Sequence, residues 1–197
     1  MRERRVRAYI GLGANVGDAR ATLTEAVRAL AALRGASLRG VSRLYVTAPV
    51  GVTDQPEFHN AVVALDVPAG PNPATGALSL LGALKELERR SGRQHRGRWG
   101  PRELDLDLLI FGRARISVER PPEARSSDAE TDPAKALKLL VVPHQEAHER
   151  LFVLAPLADL APGLVPPGWS ETVATARDRR EVVEGPDSVR PISGWIA

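Results

Sequence analysis

The run Arg98-Trp99-Gly100-Pro101-Arg102-Glu103-Leu104-Asp105-Leu106-Asp107 sets two carboxylates two residues apart in an apolar stretch, directly behind a cluster of arginines. On a strand, side chains two apart share a face, so Asp105 and Asp107 would point to one side and Leu104, Leu106 and Leu108 to the other. Two close carboxylates repel unless they share a cation or a proton. Oxygen-only ligation with arginines nearby suits magnesium holding phosphates better than zinc. Spacing alone leaves a second reading open, a solvated sheet face whose aspartates pair with arginines.

Arg89, Arg90, Arg93, Arg96, Arg98 and Arg102 fall in one short stretch that contains a single acid, Glu103. Arg89 and Arg90, at the end of an expected helix, complement its dipole. Arg93, Arg96 and Arg98 lie beyond that field, in a glycine-containing loop, where guanidinium forks match phosphate oxygens two at a time. Trp99 among them is either a core plug or a stacking surface for a flat heterocycle. His144, behind Val142-Pro143, reads by itself as a hydrogen-bonding residue at a strand end. The glycines of Gly11-Leu12-Gly13-Ala14-Asn15-Val16-Gly17 do not make a phosphate loop, because no Lys-Ser/Thr follows and no acid stands at the ribose distance. They form a strand-to-helix turn whose backbone can approach a ligand.

The elements that must position these groups follow from apolar periodicity. Val6, Ala8 and Ile10 alternate as a first strand. A helix capped by Asp18 carries Leu23, Val27, Leu30 and Leu33 on one face, with Gly35 as its stop. Val41 to Val46 is a second strand and Phe58 to Val67 a third. Asn72-Pro73 opens a second helix with Ala77, Leu80, Leu81, Leu84 and Leu87 inward, and Leu104 to Phe111 is a fourth strand. Strand, helix, strand, strand, helix, strand predicts an α+β fold, a ferredoxin-like antiparallel sheet with helices packed mainly on one face, in a single domain. Glu119 to Lys138, rich in Pro, Ser, Ala and acids, reads as a flexible insertion into a domain spanning 1–165. Leu139 to Val142 resumes as a strand, Phe152 to Leu160 is a short helix, and 166–197 reads as a charged C-terminal tail.

The chain of 197 residues is long enough for one core without staples, and it has no cysteine, which excludes disulfides, thiolate zinc sites and a thiol nucleophile. No apolar run approaches a bilayer-spanning length, and Met1 to Arg5 leads into a strand rather than a signal segment. A cytoplasmic monomer is expected. The net charge is only +3, so the basic stretch is a local feature suited to polyanions, ATP or nucleic acid.

Four blocks in order resemble the 6-hydroxymethyl-7,8-dihydropterin pyrophosphokinase family: Ala8 to Asn15; Thr47 to Gly51 with Asp54 to Asn60; Arg98 to Asp107; and Val142 to His144 with Arg150 to Leu154. The resemblance implies diphosphate transfer from ATP to the pterin alcohol on two Mg2+ ions, with ATP and the pterin as partners and neither nucleic acid nor membrane. It further implies that Thr47, Ala48, Pro49, Val50 and Asn60 contact the pterin, that Phe58 and Phe152 sandwich it, and that Trp99 closes over the site. Asp105 and Asp107 would hold the metals. Glu88, Arg93, Arg98, Trp99, Arg102, Leu108, His144 and Arg150 would bind ATP, with Arg93 and Arg102 acting in catalysis alongside the two aspartates. The chain departs from the family pattern at His95, Phe58 and Gln145. Two rivals remain at this point: an RNA-binding module using the arginine loop, and a pterin-binding regulator without catalysis.

Overall fold

The computed structural model describes residues 4–49, 54–92, 102–121, 137–192 and 195. Strand β1 (Arg5–Ala14) lies between β4 (Phe58–Pro68) and β5 (Asp105–Phe111), antiparallel to both. The far side of β4 takes β2 (Ser37–Val41) and β3 (Leu44–Thr47), and β8 (Val189–Ile192) pairs with β3 at the edge. This is the expected ferredoxin-like sheet with one further strand. Even-numbered residues of β1 pack with α1 (Ala19–Ala31) and α2 (Pro73–Arg90), so Ile10, Leu12, Leu23, Leu30, Leu84 and Leu106 share one core. The Asp18 side chain accepts from Ala21 N at 2.9 Å and Asn72 from Thr75 N at 2.9 Å, which supplies both helices with the expected caps. Gly76 is required by close packing, since a Cβ there would stand 2.3 Å from the Ala69 carbonyl oxygen.

Part of the opposite face is covered by α3 (Leu151–Leu160) and α4 (Val173–Glu184), whose Leu154, Leu157, Ala158, Val173 and Ala176 pack on Tyr9, Val62, Ala64 and Ile110. The chain after residue 166 thus contains a helix and a strand where the sequence suggested only a decaying tail. The reason is physical: α4 buries only Val173 and Ala176, too few for a visible apolar stripe, and β8 contains Pro191, which an edge strand tolerates. No described helix is long and apolar enough to cross a membrane.

The expected second strand is two strands. Pairing with β4 is interrupted at Ser42, whose hydroxyl accepts from Val62 N at 2.9 Å in place of a ladder bond. Side chains alternate along β5 as far as Leu109, with Leu108 on the helix side and Leu109 on the other face, and a register shift against β1 between Tyr9 and Ile10 then puts Ile110 on the same face as Leu109.

Strands β6 (Ile116–Glu119) and β7 (Lys138–Val142) form a separate antiparallel pair, β6 being a strand that the sequence did not suggest. Most of the expected insertion, 122–136, lies outside the described residues. Its two ends are tied together, with Glu119 opposite Lys138 and Arg120 N donating to Leu137 O at 2.8 Å. Replacing Pro122 to Pro133 by a short Gly/Ser linker should therefore change folding stability by no more than about 1 kcal/mol, because closure entropy varies slowly with loop length. Urea denaturation of the shortened chain measures this directly, and loss of its cooperative transition would show the segment to be part of the core.

Candidate active site

Antiparallel register sets the floor of a cleft of about 250 Å³ on the face of the sheet away from α1 and α2. Asn60 of β4, Gly13 of β1 and Asp105 of β5 stand directly opposite one another, and one step along the strands so do Val62, Gly11 and Asp107. Residues in register on antiparallel strands project to the same side. The two glycines therefore leave an open trough between an amide on one bank and two carboxylates on the other. A Cβ on Gly13 would lie 3.5 Å from Asn60 Oδ1 and 3.9 Å from the Asp105 Cβ, so glycine is needed here for room rather than to avoid a backbone clash.

On the amide bank, Asn60 is buried and its Nδ2 donates to Thr47 Oγ1 at 3.0 Å, which fixes the amide plane and leaves Oδ1 over Gly13. Thr47, Ala48 and Phe58 line this side, and Phe152 from the first turn of α3 lines the cleft from above the sheet. Thr47, Ala48, Phe58, Asn60 and Phe152 are thus brought together as expected. Pro49 is outside the lining. Val50 lies outside the described residues, as do Arg93, Arg98 and Trp99.

On the carboxylate bank, Arg102 pairs with Asp105, and Arg150 lines the cleft with its guanidinium 5.6 Å from the centre of the Phe152 ring. The Asp107 carboxyl is held above the ordinary carboxylate range, first by burial and second by the neighbouring Asp105. Burial pushes His144 below its usual value, against the opposing pull of Asp107. His144 N donates to Leu109 O at 2.8 Å, fastening the segment after β7 onto β5 beside the aspartates. Among the described residues no group of three or more His, Asp or Glu side chains could hold a metal ion. Two neighbouring carboxylates, that of Asp107 buried, next to arginines, fit a hard cation whose remaining ligands come from phosphate and water.

Two expected nucleotide contacts are placed differently. The Leu108 side chain is 3% exposed in the core on the helix side, so only its backbone remains for a ligand, and Leu109 lines the cleft instead. Glu88 is 3% exposed and does not line the cleft. Its carboxylate accepts from Leu106 N at 2.7 Å and from Lys85 at 2.8 Å, bracing β5 between the two aspartates. Replacing Glu88 with alanine should leave that buried N–H without its acceptor and cost roughly 1–3 kcal/mol, with glutamine costing less. Thermal melts of both variants provide the check.

Sequence reasoning missed Asn15 as a clasp. It is 2% exposed, donates to Gln55 Oε1 and Pro56 O at 3.1 Å each, and accepts from Arg102 N at 2.8 Å. One buried amide therefore ties the segment leading to Phe58 to the arginine that holds Asp105. Gly11 and Gly13 were legible only as glycines able to approach a ligand; their spacing of two, matching that of the aspartates, was the available signal.

The chain matches the model of the 7,8-dihydro-6-hydroxymethylpterin-pyrophosphokinase family over residues 9–162. It is 41% identical over 170 residues to the 2-amino-4-hydroxy-6-hydroxymethyldihydropteridine pyrophosphokinase of Methylorubrum extorquens, covering 86% of this chain and 90% of that one. The protein of the same name from Pseudomonas aeruginosa is 40% identical, with 80% and 82% covered. In three dimensions the chain is similar to wild-type HPPK-DHPS of Plasmodium falciparum, with a TM-score of 0.72 at 13% identity, over 98% of this chain and 49% of that larger one. That likeness speaks for the fold, and the sequence matches speak for descent. The chain belongs to the 7,8-dihydro-6-hydroxymethylpterin-pyrophosphokinase family.

Proposed function

We propose that the glycine-floored cleft is where the chain carries out its family's reaction, transfer of diphosphate from ATP to the hydroxymethyl group of 6-hydroxymethyl-7,8-dihydropterin in folate biosynthesis. The observation that carries this assignment is the register Asn60, Gly13, Asp105, which puts a fixed amide and a carboxylate on either side of a bare strip of backbone. A flat heterocycle fits on that strip between Phe58 and Phe152, with its hydrogen-bonding edge toward Asn60 and its hydroxymethyl arm toward the aspartates.

Asp105 and Asp107 would hold two Mg2+ ions, which when bound neutralise the triphosphate and make the pterin hydroxyl more acidic. Everything else falls to positioning and charge. Thr47 fixes the Asn60 amide so that the ring enters in one orientation. Arg102, held by Asn15 through its backbone and by Asp105 through its side chain, presents positive charge where charge develops on the transferred group. Arg150, which lines the cleft, and His144, on the segment fastened to β5, would complete the phosphate clamp. The pterin hydroxyl oxygen attacks the β-phosphorus in line and gives up its proton to water, the bond from that phosphorus to the oxygen bridging it to the α-phosphate breaks, and AMP leaves with that oxygen. The RNA-binding alternative requires phosphates to approach a face that carries two carboxylates, and so it is disfavoured.

This arrangement separates the substrates by residue. Asn60→Ala should raise the KM for the pterin by roughly tenfold or more with little change in the KM for ATP, because it removes a contact to one substrate. Arg102→Ala should leave the pterin KM near the parent value and lower kcat or weaken ATP. Steady-state titration of each substrate against each variant tests the assignment, and the reverse pattern would show the two halves of the cleft to be exchanged.

A further inference from the structure

Phe152 reaches the cleft from a helix, so the width of the aromatic slot depends on how α3 is seated on the sheet. Two turns further along α3, on the same side of the helix, Asp159 makes a compact set of bonds to β3 and the residue preceding it. Its carboxylate accepts from the Arg43 backbone N at 3.0 Å, from the Arg43 guanidinium at 2.6 Å, and from the Tyr45 hydroxyl at 3.0 Å. The Asp159 side chain is 16% exposed, in a residue that is otherwise at the surface near the end of the helix, and Tyr45 is 4% exposed, packed with Leu151, Ala155 and Phe152. Burial and then the Asp159 carboxylate push the Tyr45 phenol up to about 12, so it stays a donor throughout the physiological range. Tyr45 is directly opposite Asn60 in the sheet, and two residues later on the same strand Thr47 holds the Asn60 amide. A single carboxylate thus joins the helix that carries one pterin-stacking ring to the strand that orients the pterin-reading amide.

We infer that Asp159 is a positioning residue for the pterin half of the cleft, acting through Tyr45 and Arg43 as a latch that sets the distance between Phe152 and Asn60. This rests on the pterin assignment made above. The carboxylate does not line the cleft, so its influence must pass through helix placement. A slot held by a backbone N–H, a guanidinium and a hydroxyl on one carboxylate loses its preset width when that carboxylate is removed, and ring binding then has to supply the ordering that the latch supplied beforehand.

The test is a set of four variants, Asp159→Ala, Asp159→Asn, Tyr45→Phe and Asn60→Ala, with pterin and ATP titrated separately in the steady state and thermal melts recorded alongside. Asp159→Ala is expected to raise the pterin KM by about tenfold while the KM for ATP stays within about twofold, since misplacement by a fraction of an ångström is felt by the ring alone. Asp159→Asn should recover most of the loss, because its amide oxygen still accepts from Tyr45 and from the Arg43 backbone. Tyr45→Phe, which removes one hydroxyl and keeps the ring, should show the same split in smaller degree and stands in if Asp159→Ala does not fold. Equal rises in both KM values, or a lower melting temperature with an unchanged pterin KM, would overturn the latch. Asn60→Ala separates the two levels: if it raises the pterin KM and the Asp159 and Tyr45 variants do not, only the latch is wrong; if none does, the pterin assignment is wrong as well.

Discussion

Asp107→Ala should lower kcat/KM by roughly three orders of magnitude, and Asp105→Ala by a comparable amount, in proteins that remain folded. Among the described residues Asp105 and Asp107 are the carboxylates that line the cleft, so on the proposed assignment losing either leaves the charge of the triphosphate poorly balanced. Asp107→Asn is the sharper variant. The Asp107 carboxyl is held above the usual range by burial and by Asp105, so its proton is favoured in the folded chain. For a carboxyl raised on folding, the stabilising contribution is fully present below the unfolded value and is lost as pH rises through the folded one. Ionising Asp107 in the metal-free parent costs stability through burial and the nearby Asp105, and the neutral asparagine avoids that cost. Asp107→Asn should melt no lower than the parent without metal, yet be nearly as inactive as the alanine variant. In the parent, cation binding should release protons and weaken as pH falls through that raised range. Melting curves, turnover and a Mg2+ titration followed by proton release check these statements together, and an active asparagine variant would remove Asp107 from the metal site.

The second large effect concerns a residue with no side chain. Gly13→Val should lower kcat/KM by about a hundredfold or more with the sheet intact, because it fills the floor on which the ring lies and displaces it from the aspartates. The backbone of Gly13 is extended strand, and its space would accept a Cβ in ordinary contact, so valine should be tolerated by the fold. Gly13→Ala should show a smaller loss in the same direction, chiefly in the pterin KM. Calorimetric or fluorescence titration of the pterin against both variants measures the effect. Full activity in Gly13→Val would mean that the ring lies elsewhere.

The carboxylate pair, the Phe58–Asn60 bank and the βαββαβ order were legible because each depends on a period of two or on a capped amphipathic helix within a short window. What crosses strands was not. The alignment of Gly11 and Gly13 with Asp107 and Asp105 depends on a register set by residues distant in sequence. The shift that puts Ile110 on the same face as Leu109 leaves no mark in an all-apolar run. Glu88 lies on the inward face of an amphipathic helix, where its spacing cannot say whether the carboxylate meets a nucleotide or the N–H of Leu106. Tyr45 and Asp159 are too far apart in sequence to be paired before the fold brings α3 onto β3.

The central claim is that this chain transfers diphosphate from ATP to a pterin alcohol in the glycine-floored cleft. It is tested most directly by incubating the protein with Mg2+, ATP and 6-hydroxymethyl-7,8-dihydropterin and following phosphorus-containing products by 31P NMR. AMP and the pterin diphosphate are expected in equal amounts, dependent on Mg2+ and absent with Asp107→Ala. ADP with a pterin monophosphate, or products that persist in the Asp107 variant, would contradict it.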